Sequence, residues 1–148
     1  MQVWAKVRNN IPRLILYAFA AGVAVVLAVA MTKENSESQE KLAQLRQMVA
    51  ETPLLPGLRK HQTSEYIKDG KAIVVISYYS KASYEEVRDF YSKELVPKGW
   101  GTPVEDSGSL FGFAPDTTSL AFRNGEFLLV IGEEKSAGFI FFYRWERQ

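Results

Sequence analysis

The stretch KAIVVISYYSKASYEEVRDFYSKEL, residues 71–95, changes its hydrophobic period in the middle, from two residues to about 3.6. Over its first part, Ile73, Val75 and Ser77 alternate with Val74, Ile76 and Tyr78, and both sets are largely apolar. A strand of that composition is expected inside a sheet, covered on both faces. The second part opens on Ser83-Tyr84-Glu85-Glu86, a capping box in which the serine hydroxyl and the Glu86 carboxylate each satisfy a free backbone N–H. Val87, Phe90, Tyr91 and Leu95 then fall on one helical face, and Pro97 and Gly99 stop the helix.

Working outward, Asp69-Gly70 supplies the positive φ of a tight turn, so His61–Lys68 is predicted to pair with the strand at 71–79 as a hairpin. On the other side, Trp100–Glu105 reads as a strand and 106–116 as a loop holding Gly108, Gly112 and Pro115. Leu120–Arg123 turns through Asn124-Gly125 into Phe127–Gly132, and Phe139–Trp145 closes the domain. The order β-β-α-β-β-β-β predicts an α+β fold, a mainly antiparallel sheet of five to six strands with one helix on one face. Both Phe127–Ile131 and Phe139–Tyr143 are apolar on both sides, more than one helix covers. The second face therefore calls for a cover: the helix that precedes the domain, a second copy of the chain, or another membrane protein.

Before this domain, Leu14–Met31 runs LILYAFAAGVAVVLAVAM, eighteen residues without a charge. As a helix it covers about 27 Å, enough to span a bilayer. Leu14, Ile15, Leu16, Val26, Leu27 and Met31 belong to that span; Gly22 is tolerated because a helix pairs its own backbone, and Tyr17 suits an interface. Lys6, Arg8 and Arg13 precede the segment with no acid among them, whereas Lys33 is offset by Glu34. The positive-inside rule then keeps residues 1–13 in the cytoplasm and places the C-terminal domain outside. The competing reading is an exported domain freed by cleavage at Ala28-Val29-Ala30. Residues 32–55 form a helical stalk, with Leu42, Leu45 and Met48 or Val49 on a stripe of only two turns, and Thr52-Pro53 and Pro56-Gly57 break it ahead of a domain at 56–148.

The chain has no cysteine, which excludes disulfides, thiolate metal sites and a cysteine nucleophile. From Glu51 onward there are 12 bases against 14 acids and no basic run, so nucleic acid is not an expected partner.

Phe90-Tyr91-x3-Leu95-x3-Gly99-Trp100, followed by Leu120-Ala-Phe122-Arg123-Asn124-Gly125, resembles a pattern of small bacterial membrane-anchored or exported α+β proteins of uncharacterised function. The resemblance covers about Pro56 to Arg144. It implies an exported α+β domain at the bacterial inner membrane and supplies no catalytic residue, substrate or cofactor. In physical terms the motif describes packing: Phe90, Tyr91 and Leu95 on the sheet, Gly99 in the left-handed cap, Trp100 folded back over the helix end.

A search for chemistry is thin. His61 is the single histidine and has no second strong metal ligand or nucleophile motif beside it. Glu105-Asp106 with Asp116, and Glu133-Glu134, lack the spacing of a calcium loop. No metal, cofactor or catalytic residue is expected. Phe111 and Phe113 in the glycine loop, with Tyr143 and Trp145 near the end of the last strand, are the candidate partner contacts. The expected function is a noncatalytic membrane-anchored domain that binds another protein or itself. A ligand- or lipid-binding module using an aromatic cleft between helix and sheet is the alternative, and an enzyme the least favoured reading.

Overall fold

A computed structural model of the chain describes residues 36–106, 117–134 and 138–146. The expected span at 14–31, with Leu14, Ile15, Leu16, Tyr17, Gly22, Val26, Leu27 and Met31, lies outside these, as do Phe111 and Phe113. Among the described residues no helix is long and apolar enough to cross a membrane.

Residues 36–51 form a helix, α1. It is followed by β1 (Arg59–Lys68), β2 (Lys71–Tyr79), α2 (Tyr84–Leu95), a short 3-10 turn (Val96–Lys98), β3 (Val104–Asp106), β4 (Ser119–Asn124), β5 (Phe127–Glu134) and β6 (Gly138–Trp145). The strands make one sheet in the order β1-β2-β6-β5-β4-β3, with every neighbouring pair antiparallel. The α+β class and the β-β-α-β-β-β-β order are as the sequence predicts.

Local signals account for most boundaries. Asp69 (φ 52°) and Gly70 (φ 70°) make the β1–β2 turn. Ser83 accepts from the Glu86 N–H while Glu86 accepts from the Ser83 N–H at 2.8 Å, so the capping box is complete. The Trp100 N–H donates to the Leu95 carbonyl and its ring is buried, sealing the end of α2. The β4–β5 turn departs from expectation by one residue. Asn124 is still in β4, paired with Phe127, and the loop is Gly125-Glu126 with positive φ at Gly125 alone. That is the pattern of a type II′ turn, with glycine first, where Asn-Gly as the loop implies type I′.

The largest departure concerns α1. Leu45 is 0% and Leu42 5% exposed, and both join one core with Val87, Tyr91 and Leu95 of α2 and the inward residues of β2, β4, β5 and β6. The two helices therefore share one face of the sheet. The compact unit runs Ser38–Gln148, so it starts well before Pro56, and the helix read as a stalk belongs to the core. Its short apolar stripe is long enough to fill the half of the face that α2 leaves open, while Glu40–Gln44 and Gln47–Glu51 pairs hold its solvent side.

An aromatic chain ties α2 to the sheet. Tyr91 meets Phe90 at 5.0 Å and Phe141 at 5.1 Å, and Phe141 meets Tyr78 at 4.8 Å, all edge-to-face. Burial pushes the phenols of Tyr91 and Tyr143 well above the ordinary tyrosine value and that of Tyr84 up to about 12. A folded-state pKa raised in this way contributes stability that is whole below about pH 10 and is lost as pH rises through the folded value. Alkaline titration is therefore expected to show Tyr84, Tyr91 and Tyr143 ionising only from about pH 12 upward, together with loss of circular dichroism. Ionisation of these three near pH 10 without unfolding is the contrary result.

Candidate functional site

The sheet has a second face, opposite both helices, and its composition follows from the register. Ser64, Val75, Phe142, Val130, Ala121 and Val104 stand in one row across all six strands. Five of those six side chains are apolar. On one side lies the row Tyr66, Ile73, Arg144, Leu128 and Arg123, and on the other Gln62, Ser77, Ile140, Gly132, Ser119 and Asp106.

Ala121, Leu128 and Val130, with Phe142 against them, form a cluster separate from the main core, and no residue of α1 or α2 belongs to it. Val130 is fully buried, Val75, Ile140 and Phe142 are half-buried, and Val104 and Tyr66 are 60% and 42% exposed. The centre of the stripe is thus covered within the chain itself, and its open apolar surface lies on the flanks, at Val104 and Tyr66.

The sheet edges are less suited to a partner. β1 is an edge strand of ten residues, exposed along nearly its whole length, but its pairing with β2 slips between Lys60 and Gln62. A bulge at His61, with Lys60 and Lys68 on the strand, blunts addition of a further strand. At the other edge β3 has only three residues.

The proposed aromatic contacts divide. Tyr143 and Trp145 lie on the helix-covered face and are each 1% exposed. They are core, and the expectation that they contact a partner is corrected. Strict alternation along β6 puts Phe139, Phe141, Tyr143 and Trp145 on one face and Ile140, Phe142 and Arg144 on the other. Ile73, Val75 and Ser77 of β2 share the face of Ile140, Phe142 and Arg144.

The chemical candidates stay apart. The His61 ring sits 4.5 Å from the Tyr79 ring, with Nε2 and Oη 3.3 Å apart, and no carboxylate bonds to it among the described residues. Glu105 is 3.6 Å from Arg88, an exposed ion pair. No group of three metal-binding side chains occurs among the described residues. A groove of about 1020 Å³, open to solvent beside the start of α2, is lined by Leu55, Arg59, Tyr79, Lys81, Glu86 and Asp89 among others. It mixes both charges with a single aromatic, unlike the enclosed aromatic cleft that ligand binding was expected to need.

No family model, curated protein or solved structure matches this chain. The reading of function therefore rests on the surface just described.

Where charge is concentrated, it sits at the end of the sheet that carries the β1–β2 and β4–β5 turns. Glu126 accepts from Lys41 at 2.9 Å and from the Trp145 indole at 3.2 Å, and these bonds hold its carboxyl below the usual range. Lys41 also lies 5.4 Å over the Phe127 ring and 5.6 Å over that of Trp145. Glu146 pairs with Lys71 and, at 3.1 Å, with Arg144, and is likewise depressed, first by the Lys71 bond.

Proposed function

We propose that the chain is a noncatalytic, single-pass membrane protein whose α+β domain lies outside the cytoplasmic membrane and binds a protein partner, a second copy or another envelope component, through the second face of its sheet. The observation that supports this reading is that the apolar row Val75–Phe142–Val130–Ala121–Val104, to which neither helix contributes, ends in exposed side chains, Val104 at 60% with Tyr66 at 42% in the row beside it. The uncharged segment at 14–31 and the basic residues before it support the anchor and its sidedness. Blunted edges direct a partner to the face, and among the described residues the carboxylates and His61 are not gathered into one site.

The test is the mass of the assembly recovered gently from native membranes. Wild-type chain is expected in a complex larger than its own 16.7 kDa plus lipid, and Val75→Glu or Val104→Glu to release it while leaving circular dichroism unchanged. A bare wild-type chain overturns the partner reading. Recovery of a chain shortened at Ala30 in the soluble fraction overturns the anchor.

A further inference from the structure

The two edges of the sheet differ in charge, and each carries an exposed apolar side chain on the second face. On β1 these are Tyr66, 42% exposed, and Lys60, which is exposed and in no ion pair among the described residues. Glu65 between them is bonded to Arg46 of α1, and Arg59 shares the groove beside α2 with Lys81, Glu86 and Asp89. On β3 they are Val104, 60% exposed, and Glu105. Arg88 lies 3.6 Å from Glu105 but is bonded to Asp89 at 2.9 Å. Burial, and then the charges of Glu105, Glu133 and Glu85 against that of Arg88, push up the Tyr84 phenol, so the field on this flank is negative.

Register sets these groups at matching heights. The six strands alternate in direction, so β3 of one sheet and β1 of a second sheet beside it in the same sense run antiparallel. Along the rows of the sheet Val104 is level with Ser64, and Tyr66 is two residues, about 7 Å, nearer the β1–β2 turn. Glu105 is level with Thr63, and Lys60 is two ladder steps beyond, within the span of a lysine side chain. Like edges set together in the same sense oppose Lys60 to a second Lys60, or Glu105 to a second Glu105. Unlike edges set an acid near a base and one exposed apolar side chain near another.

We infer that copies of this chain associate head to tail in the membrane, the β3 edge of one against the β1 edge of the next, with Val104 on Tyr66 and Glu105 near Lys60. This rests on the membrane-anchored, partner-binding reading and names the partner as a second copy. Anchors of one sidedness hold neighbours upright in the same sense. Ser38 follows Met31 by seven residues, at most about 25 Å of chain, which keeps the domains at similar heights. The His61 bulge and the three-residue β3 prevent the edges from merging into one ladder, so the contact is between side chains. A contact between unlike surfaces repeats, giving a ring or a row and not a closed pair.

The chain has no cysteine of its own, so introduced ones report the contact. In native membranes the double variant Tyr66→Cys, Val104→Cys is expected to form dimers, trimers and higher products with a short bismaleimide. Within one chain the two sites are five strand spacings, about 24 Å, apart, beyond that reagent's reach. The two single variants produced together are expected to give dimers only, and each alone none. Adding Lys60→Glu to the double variant is expected to lower the yield about fivefold, and Glu105→Lys on top of it to restore the yield, with circular dichroism unchanged. A yield indifferent to Lys60→Glu overturns the pairing of Lys60 with Glu105. Dimers from a single variant alone mean that like edges meet, which overturns the head-to-tail order and leaves the second copy standing. Products joined to a different protein overturn the second copy and leave the partner-binding reading standing. No product from any variant overturns the association, whereas a bare wild-type chain in the mass measurement overturns the partner-binding reading itself.

Discussion

Replacing Leu45 with alanine is expected to destabilise the domain by about 2–5 kcal/mol, the range for a buried leucine whose cavity does not collapse. Leu45 has no exposed surface and packs in the same core as Tyr91 and Phe141. Against a total stability of about 5–15 kcal/mol, that is a large fraction of what keeps a small domain folded. Ala43, exposed on the same helix, is the control, and its replacement by serine is expected to change stability by no more than about 0.5 kcal/mol. Urea denaturation followed by tryptophan fluorescence reads both, because Trp100 and Trp145 are buried in the folded core. A Leu45→Ala domain as stable as wild type means that α1 is a spacer after all.

A second large effect is expected at Gly138, the first residue of β6. A Cβ there lies 2.1 Å from the Tyr78 carbonyl oxygen and 2.8 Å from the Ser80 nitrogen, and φ is +142°. The Tyr78–Ser80 backbone cannot yield without separating β6 from β2, where Gly138 pairs with Tyr79. Overpacking and strain together set the cost of Gly138→Ala at about 3–5 kcal/mol. Gly125→Ala makes the useful contrast: nothing lies within 4 Å of its Cβ and φ is +57°, so only the conformational term of about 1–2 kcal/mol applies. Thermal melts that give the two variants the same loss count against the close approach at Gly138.

What the sequence disclosed and what it withheld follow from the range of each signal. Asp69-Gly70, the Ser83–Glu86 box and the Gly99-Trp100 helix end act within four or five residues, and each is where the chain says it is. The turn after β4 slipped by one because Asn124-Gly125 and Gly125-Glu126 both suit a two-residue hairpin, and the choice is made by which faces of Leu129 and Leu128 the register buries. The stripe of α1 was visible, but periodicity reports that a face is buried and not against what. Its partner is a sheet face assembled from strands up to a hundred residues away. The same gap misassigned Tyr143 and Trp145: in β6 both alternating sets are apolar, so composition does not say which one looks inward.

The place of β6 has a further consequence, in time. It is the last strand to be synthesised among those described, yet it lies between β2 and β5 and is the only link between the β1–β2 hairpin and the β5-β4-β3 ribbon. Until it emerges, the growing chain holds two separate fragments with exposed inner edges, and no complete core for α1 and α2 to settle on. Folding of this domain therefore waits until β6 has been made.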